Sequence, residues 1–346
     1  MRLSMQVPYA GTPAEFARVA SQVADLERAG LDIVWVAEAY TFDAPSYMGY
    51  LAARTETVQI GSAILPIYTR TPTVLGMTAA GVDALSNGRC ILGLGASGPQ
   101  VIEGFHGVPY DAPLERTREI IDICRQVWRR EKVVHDGRRY QVPLPADKGT
   151  GLGKALKLIN HPVRPNIPIY VASLGPKNVE MTAELADGWL PLFYVPEKAG
   201  EVVGEALAKG AANRAADLGP LEVVAGGLVA IGDDVEHLRD LMRPSVALYV
   251  GGMGARGQNF YNALARRYGY EAEAELIQDL YLDGKKDEAA AAVPAEFLEK
   301  MSLVGPAGYV KERLAAFRES GVTVLSVNPV GPDPVKIIEQ LKEWAN

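Results

Sequence analysis

The chain has 346 residues, 48% of them hydrophobic, with a formal charge of −7 and a pI near 5.3. That length can bury a large core as one barrel or as two smaller domains, and the acidity argues against a nucleic-acid surface or an anionic membrane as the main partner, because both ask for a basic face. No run approaches the ~18 apolar residues of a membrane span, and the N-terminus MRLSMQVPYAGTPAEF has no signal-peptide pattern, so a cytoplasmic protein with a small-molecule substrate is expected.

In chain order, Leu3 to Val7 reads as a short strand. Thr12, Pro13 and Glu15 then supply an N-cap, a first-turn proline and a reciprocal capping residue for a helix with Phe16, Val19, Ala20, Val23 and Leu26 on one face. Gly30 ends that helix before a second strand, Leu31 to Ala37. The unit recurs with strand Val58 to Leu65, a helix opened by Thr71 and Pro72, and strand Cys90 to Leu94. Further strands are expected at Ile167 to Ala172, Trp189 to Phe193, Leu221 to Ile231 and Val322 to Val327, with helices from Pro196, Pro306 and Pro334 between and after them. The strands are apolar without alternation, as in a parallel sheet covered on both faces.

Eight such units predict an α/β fold, a (β/α)8 TIM barrel spanning 1–346 as one domain, with insertions after strands 4 and 7 at about 97–166 and 233–304. The first insertion holds a helix at Leu114 to Arg130 and an Asp136-Gly137 turn suited to a hairpin. The second is almost entirely helical. Both are expected on the C-terminal rim, where βα loops emerge and barrels do their chemistry.

Several stretches carry candidate chemistry. At Ile167 to Asn178 a buried strand runs through Ala172, Ser173, Leu174 and Gly175 into Pro176 and Lys177 at a helix start, which makes either a phosphate cradle or an ordinary strand-to-helix joint. The pattern Gly93-Leu94-Gly95-Ala96-Ser97-Gly98 matches a dinucleotide fingerprint in letters only. Pro99 follows at once and no acid stands at the tip of a second strand, so the glycines are read instead as letting a flat ring or its side chain approach the backbone. Glu38 ends the second strand as a catalytic candidate or as half of a salt bridge. Tyr9, Tyr194 and Asn328 end strands 1, 6 and 8, where they line the substrate cavity or cap it. Cys90 and Cys124 read as buried reduced thiols, and the four histidines have no partner at ligand spacing, so no metal site is expected.

The strings VWVAEAY, IGSAILPIYTRTP, VDALSNGR, LGLGASGPQ, IPIYVASLGPK and ADGW, in that order, closely resemble the bacterial luciferase-like oxidoreductases, and most of all their branch using the deazaflavin coenzyme F420. The resemblance runs from Leu3 to Pro329. It implies a (β/α)8 barrel with the cofactor ring at the C-terminal mouth and its phosphate at Ser173 to Lys177. Glu38 matches the acidic position near the ring, and Ala63 and Ile64 match a strand-3 bulge behind it, with a non-prolyl cis peptide between them. The sugar-phosphate dehydrogenases of the family carry a histidine and a glutamate where this chain has Ala39 and Ala96, which argues against that activity. The expected function is an F420-dependent oxidoreductase moving a hydride to or from a small organic substrate, with protons handled by Glu38, Tyr9 or water. The alternatives are an FMN-dependent monooxygenase on the same fold and a non-catalytic cofactor carrier. A homo-oligomer is expected.

Lys132 to Asn166 holds seven basic residues against two acids in a chain that is acidic overall. The surplus reads either as a solvated strip or as a site for the polyanionic tail of F420, with Lys154, Lys157 and Arg164 as the contacts to test.

Overall fold

The computed structural model describes residues 1–345. Eight parallel strands close into a barrel: β1 (Arg2–Gln6), β2 (Ile33–Val36), β3 (Gln59–Ser62), β4 (Cys90–Gly95), β5 (Ile169–Val171), β6 (Gly188–Trp189), β7 (Glu222–Ile231) and β8 (Val324–Pro329). Neighbours in sequence pair all the way round, and the ring closes where Arg2 of β1 sits opposite Val324 of β8. Ile33, Trp35, Ile91, Tyr170, Val224 and Val324 fill the interior. A Cβ on Gly61 would lie 2.2 Å from the Trp35 ring, so only glycine leaves room for this plug. At the N-terminal end Arg2 pairs with Glu222 at 2.5 Å and also reaches Gln59 and Tyr170.

The outer layer is α1 (Pro13–Arg28), α2 (Ala44–Ala52), α3 (Pro72–Leu85), α4 (Pro113–Trp128), α5 (Pro176–Leu185), α6 (Pro196–Ala212), α7 (Ala307–Glu319) and α8 (Pro334–Ala345). The starts are set by local chemistry. Thr12 and Glu15 form the full capping box of α1, Thr71 caps α3, and Asp43 caps α2. Sequence pattern misses α2, although Asp43 before Pro45 is a cap-and-proline signal and Tyr47, Met48 and Leu51 form its buried face. An additional short strand, Leu303–Gly305, extends the sheet beside the end of β7.

The two insertions behave differently. Residues 233–304 fold into short helices around their own core of Val246, Val250, Leu264, Ile277 and Phe297, which reaches Leu174 and Phe193 on the loops after β5 and β6. This insertion does cover the C-terminal rim. The segment from 97 to 166 does not all do so, because α4 joins the helical layer and the chain then returns along the outside. A hairpin, His135–Asp136 with Gln141–Val142, forms at the expected turn. Arg130, past the end of α4, bonds the carbonyl of Leu158, and Arg164 bonds Asp83 and the carbonyl of Cys90, the first residue of β4. The second half of the basic strip therefore lies toward the N-terminal end of the barrel. Both cysteines are buried and unbridged, and burial pushes both thiols upward.

Candidate active site at the barrel mouth

The mouth is built on a locked junction between β3 and β4. The Ser62 hydroxyl, fully buried, donates to the carbonyl of Gly93 at 2.8 Å and accepts its N–H at 2.9 Å. The next peptide, Ala63–Ile64, is cis, as the resemblance implies, and the Ala63 N–H donates to the Val36 carbonyl at 2.8 Å. Ile64 then lies over Gly95, where an added Cβ would come within 2.8 Å of its side chain. The glycines of the GLGASG stretch thus make room first for β3 and its bulge. Gly93 would meet the Ser62 carbonyl at 1.7 Å, so packing between strands accounts for it without any ring against the backbone. Ala96 packs against the main core, and Ser97 takes a left-handed turn with φ of 58° before the four-residue helix Pro99–Ile102.

Glu38 is not free. Its side chain is 7% exposed and forms a two-pronged ion pair with Arg70, at 2.5 and 2.9 Å, while also accepting the Ala44 N–H at 2.8 Å. It ties the loop after β3 to the first turn of α2. Arg70 was not singled out by sequence, since a partner 32 residues away leaves no local signal.

Across the mouth, the segment expected to cradle phosphate is positioned by Ala172, whose N–H donates to the Leu94 carbonyl at 2.9 Å. Ser173 is 5% exposed and its hydroxyl pairs with Thr182 at 2.9 Å, while its carbonyl accepts the Trp189 indole N–H. The Ser173 side chain therefore anchors the turn to α5. Gly175 is the N-cap of α5, with no side-chain cap bond and no acid in the first turn. A Cβ there would meet nothing within 4 Å. Pro176, which has no N–H, and Lys177 follow in the first turn, and Asn178 and Val179 donate back to the Gly175 carbonyl, so the N–H groups of Gly175 and Lys177 and the positive end of the dipole face an unobstructed approach. Arg267, from the second insertion, donates to the Leu174 carbonyl at 2.8 Å and brings a guanidinium alongside. Sequence gave no hint of this residue.

Aromatic side chains roof the mouth. Phe193, Tyr249 and Tyr261 pack edge to face, with Tyr249 and Tyr261 centroids 4.8 Å apart, and Tyr40 stands 6.2 Å from Phe105. Burial pushes the Tyr249 phenol upward, with Tyr9 and Tyr40 adding to it. Tyr9 is raised as well, by burial first and then by Tyr40. Tyr194 does not reach the mouth: its hydroxyl bonds the Ser320 carbonyl and its ring stacks on Phe317 of α7. Asn328 lies near the end of β8, opposite Leu228 of β7. No cluster of three metal-ligand side chains occurs among the described residues.

A model of the luciferase-like monooxygenase family matches residues 1–324. The chain belongs to that family. Among its relatives, a Mycobacterium tuberculosis protein assigned as a coenzyme F420-dependent oxidoreductase is 41% identical over 347 residues, covering 99% of each chain. The 5,10-methylenetetrahydromethanopterin reductase of Archaeoglobus fulgidus is 28% identical over 90% of each. Among solved structures, the coenzyme F420-dependent tetrahydromethanopterin reductase of Methanopyrus kandleri superposes with a TM-score of 0.78 at 22% identity, covering 98% of this luciferase-like chain and 96% of that one. This last likeness speaks to the barrel. No helix among the described residues is long and apolar enough to cross a membrane.

Proposed function

We propose that this luciferase-like protein is a coenzyme F420-dependent oxidoreductase that transfers a hydride between the deazaflavin and a small organic substrate at the barrel mouth. The observation that carries the proposal is the helix start at Gly175, open, uncapped and flanked by Arg267, which stands one strand away from the Ala63–Ile64 bulge with β4 between them. The relatedness to an assigned F420 oxidoreductase supports it. In the turn Ala172 to Lys177 the cofactor phosphate would be held by the N–H groups of Leu174, Gly175 and Lys177, the Ala172 N–H being spent on the Leu94 carbonyl, and Ala63, Ile64, Gly95, Ala96 and Ser97 would wall the ring. Bound F420 supplies two-electron hydride transfer.

The chain's own contribution is orientation and a proton. Glu38 acts as a positioning residue that holds Arg70 at the mouth and fixes the first turn of α2. Tyr9, 61% exposed, donates the proton that accompanies reduction of an activated double bond or imine and regains it from solvent. The protein works in the cytoplasm as a homo-oligomer, with Val74, Met77 and Leu85 forming an outward apolar stripe on α3.

The test is titration with F420 and with FMN, followed by fluorescence quenching, together with anaerobic turnover of reduced F420 on a panel of enones, imines and alcohols. Tight F420 binding and oxygen-independent turnover are expected. FMN binding as tight as F420, or turnover that stops without oxygen, refutes the assignment.

A further inference from the structure

Beside the mouth, between α1 and α2, lies a recess of about 560 Å³, within the ~300–1,000 Å³ range of small-molecule sites. Phe16, Phe42, Tyr47 and Tyr50 wall it, and Tyr9 stands at its edge. Phe16 meets Tyr47 edge to face at 4.7 Å, so the wall is a packed aromatic surface. No basic side chain lines it among the described residues. Its one charged residue, Asp43, spends its carboxylate on the Ser46 N–H and hydroxyl as the cap of α2. Tyr47 is 8% exposed and its hydroxyl is buried with no partner. Burial holds that phenol protonated, at about 12, so it is a donor without an acceptor. The recess is continuous with the reaction site: Val36 in its floor accepts the Ala63 N–H of the bulge, and Ala37 directly precedes Glu38.

We infer that this recess receives the apolar arm of a neutral substrate. A phosphate or carboxylate would enter beside the Asp43 carboxylate with no cation in the lining, since Arg18 near Tyr47 and Arg54 over the Tyr50 ring both stand outside it, and its lost hydration would be poorly replaced. The recess therefore selects against anionic substrates, while the anion-binding elements of the molecule lie across the barrel at Gly175 and Arg267. The inference rests on the oxidoreductase reading only in naming the occupant a substrate.

The test uses the full-length protein, with and without F420, and two matched fluorescent probes: neutral N-phenyl-1-naphthylamine and the anionic 8-anilinonaphthalene-1-sulfonate. The neutral probe is expected to bind about tenfold more tightly than the anionic one, and to bind whether or not F420 is present. Ala10→Trp, which fills the recess, and Phe42→Ala, which removes an exposed wall ring, should each weaken the neutral probe about tenfold while the F420 dissociation constant, read in the same samples, stays within twofold. Unchanged probe affinity in both variants, displacement of the probe by F420, or equal binding of both probes overturns the proposal. A change in sedimentation mass with Ala10→Trp also overturns it, because the recess would then be a contact between copies. Failure of F420 to bind would remove the assigned activity and leave the recess result standing.

Discussion

Removing the Arg70 guanidinium isolates what the Glu38 pair does. Both side chains are largely withdrawn from water, at 17% and 7% exposed, and the contact is two-pronged, so the 0–1 kcal/mol typical of surface pairs does not apply. Arg70→Ala leaves a buried carboxylate with the Ala44 N–H as its one remaining partner, and breaking a buried pair in this way costs about 3 kcal/mol or more. With an unfolding entropy of ~2.1 cal/mol/K per residue, the 346-residue chain loses about 4 °C in Tm for ~3 kcal/mol. Glu38→Ala combined with Arg70→Ala abandons no charge, and its Tm should lie above that of Arg70→Ala alone. Arg70→Lys should recover part of the loss, since it restores charge without the planar fork. Thermal unfolding by circular dichroism at fixed salt provides the reading. Additive single and double mutants, or Arg70→Ala within 1 °C of wild type, would refute the claim that Glu38 is held by Arg70 rather than kept free for proton transfer.

Four other outcomes follow from particular contacts. Gly175→Val meets open space at an ordinary φ of −75°, so Tm should hold while F420 affinity, by fluorescence quenching, falls at least about tenfold as the amides are screened. Ser173→Ala should do the reverse, lowering Tm by losing the Thr182 bond, worth about 1 kcal/mol, with F420 affinity changed less than about twofold. Arg267→Gln should weaken F420 binding and flatten its salt dependence, whereas Lys154→Gln with Lys157→Gln should alter neither in the same titration. Arg164→Ala should destabilise the fold by about 3 kcal/mol in urea unfolding, because Asp83 is fully buried and loses its cation.

The barrel was legible because its strands are covered on both faces, which turns each into an apolar run, and because threonine or aspartate followed by proline punctuates the starts of α1, α3 and α8. The last strand edges were less so. β6 was expected to run to Phe193 but pairs only at Gly188 and Trp189, since Pro191 has no N–H for the ladder and Phe193 turns with φ of 54°. At the site, the strand-turn-helix of Ile167 to Asn178 could be read because it is a contiguous string, and the Ala63–Ile64 bulge came from the family resemblance. Arg70, Arg267 and Tyr249 could not, since each acts through a contact set by the closed barrel or by the packing of the second insertion.

The basic strip shows why a charge count along the chain is a weak guide to a binding surface. Its surplus is real in sequence, yet much of it is matched by acids that lie elsewhere in the chain. Arg138 pairs with Glu115, Arg139 with Asp111 and Glu115, and Arg164 with buried Asp83. Lys132, Lys148, Lys154 and Lys157 have no acid partner among the described residues, and of these Lys154 and Lys157 lie on the exposed return segment between two anchors, at Arg130 and Arg164, toward the far end of the barrel. A tail extending from a phosphate at Gly175 would have to cross the helical layer to reach them. Arg267, which the second insertion delivers to the Leu174 carbonyl, stands beside the proposed phosphate site, so cofactor preference is expected to follow residues 233–304 and not the basic strip.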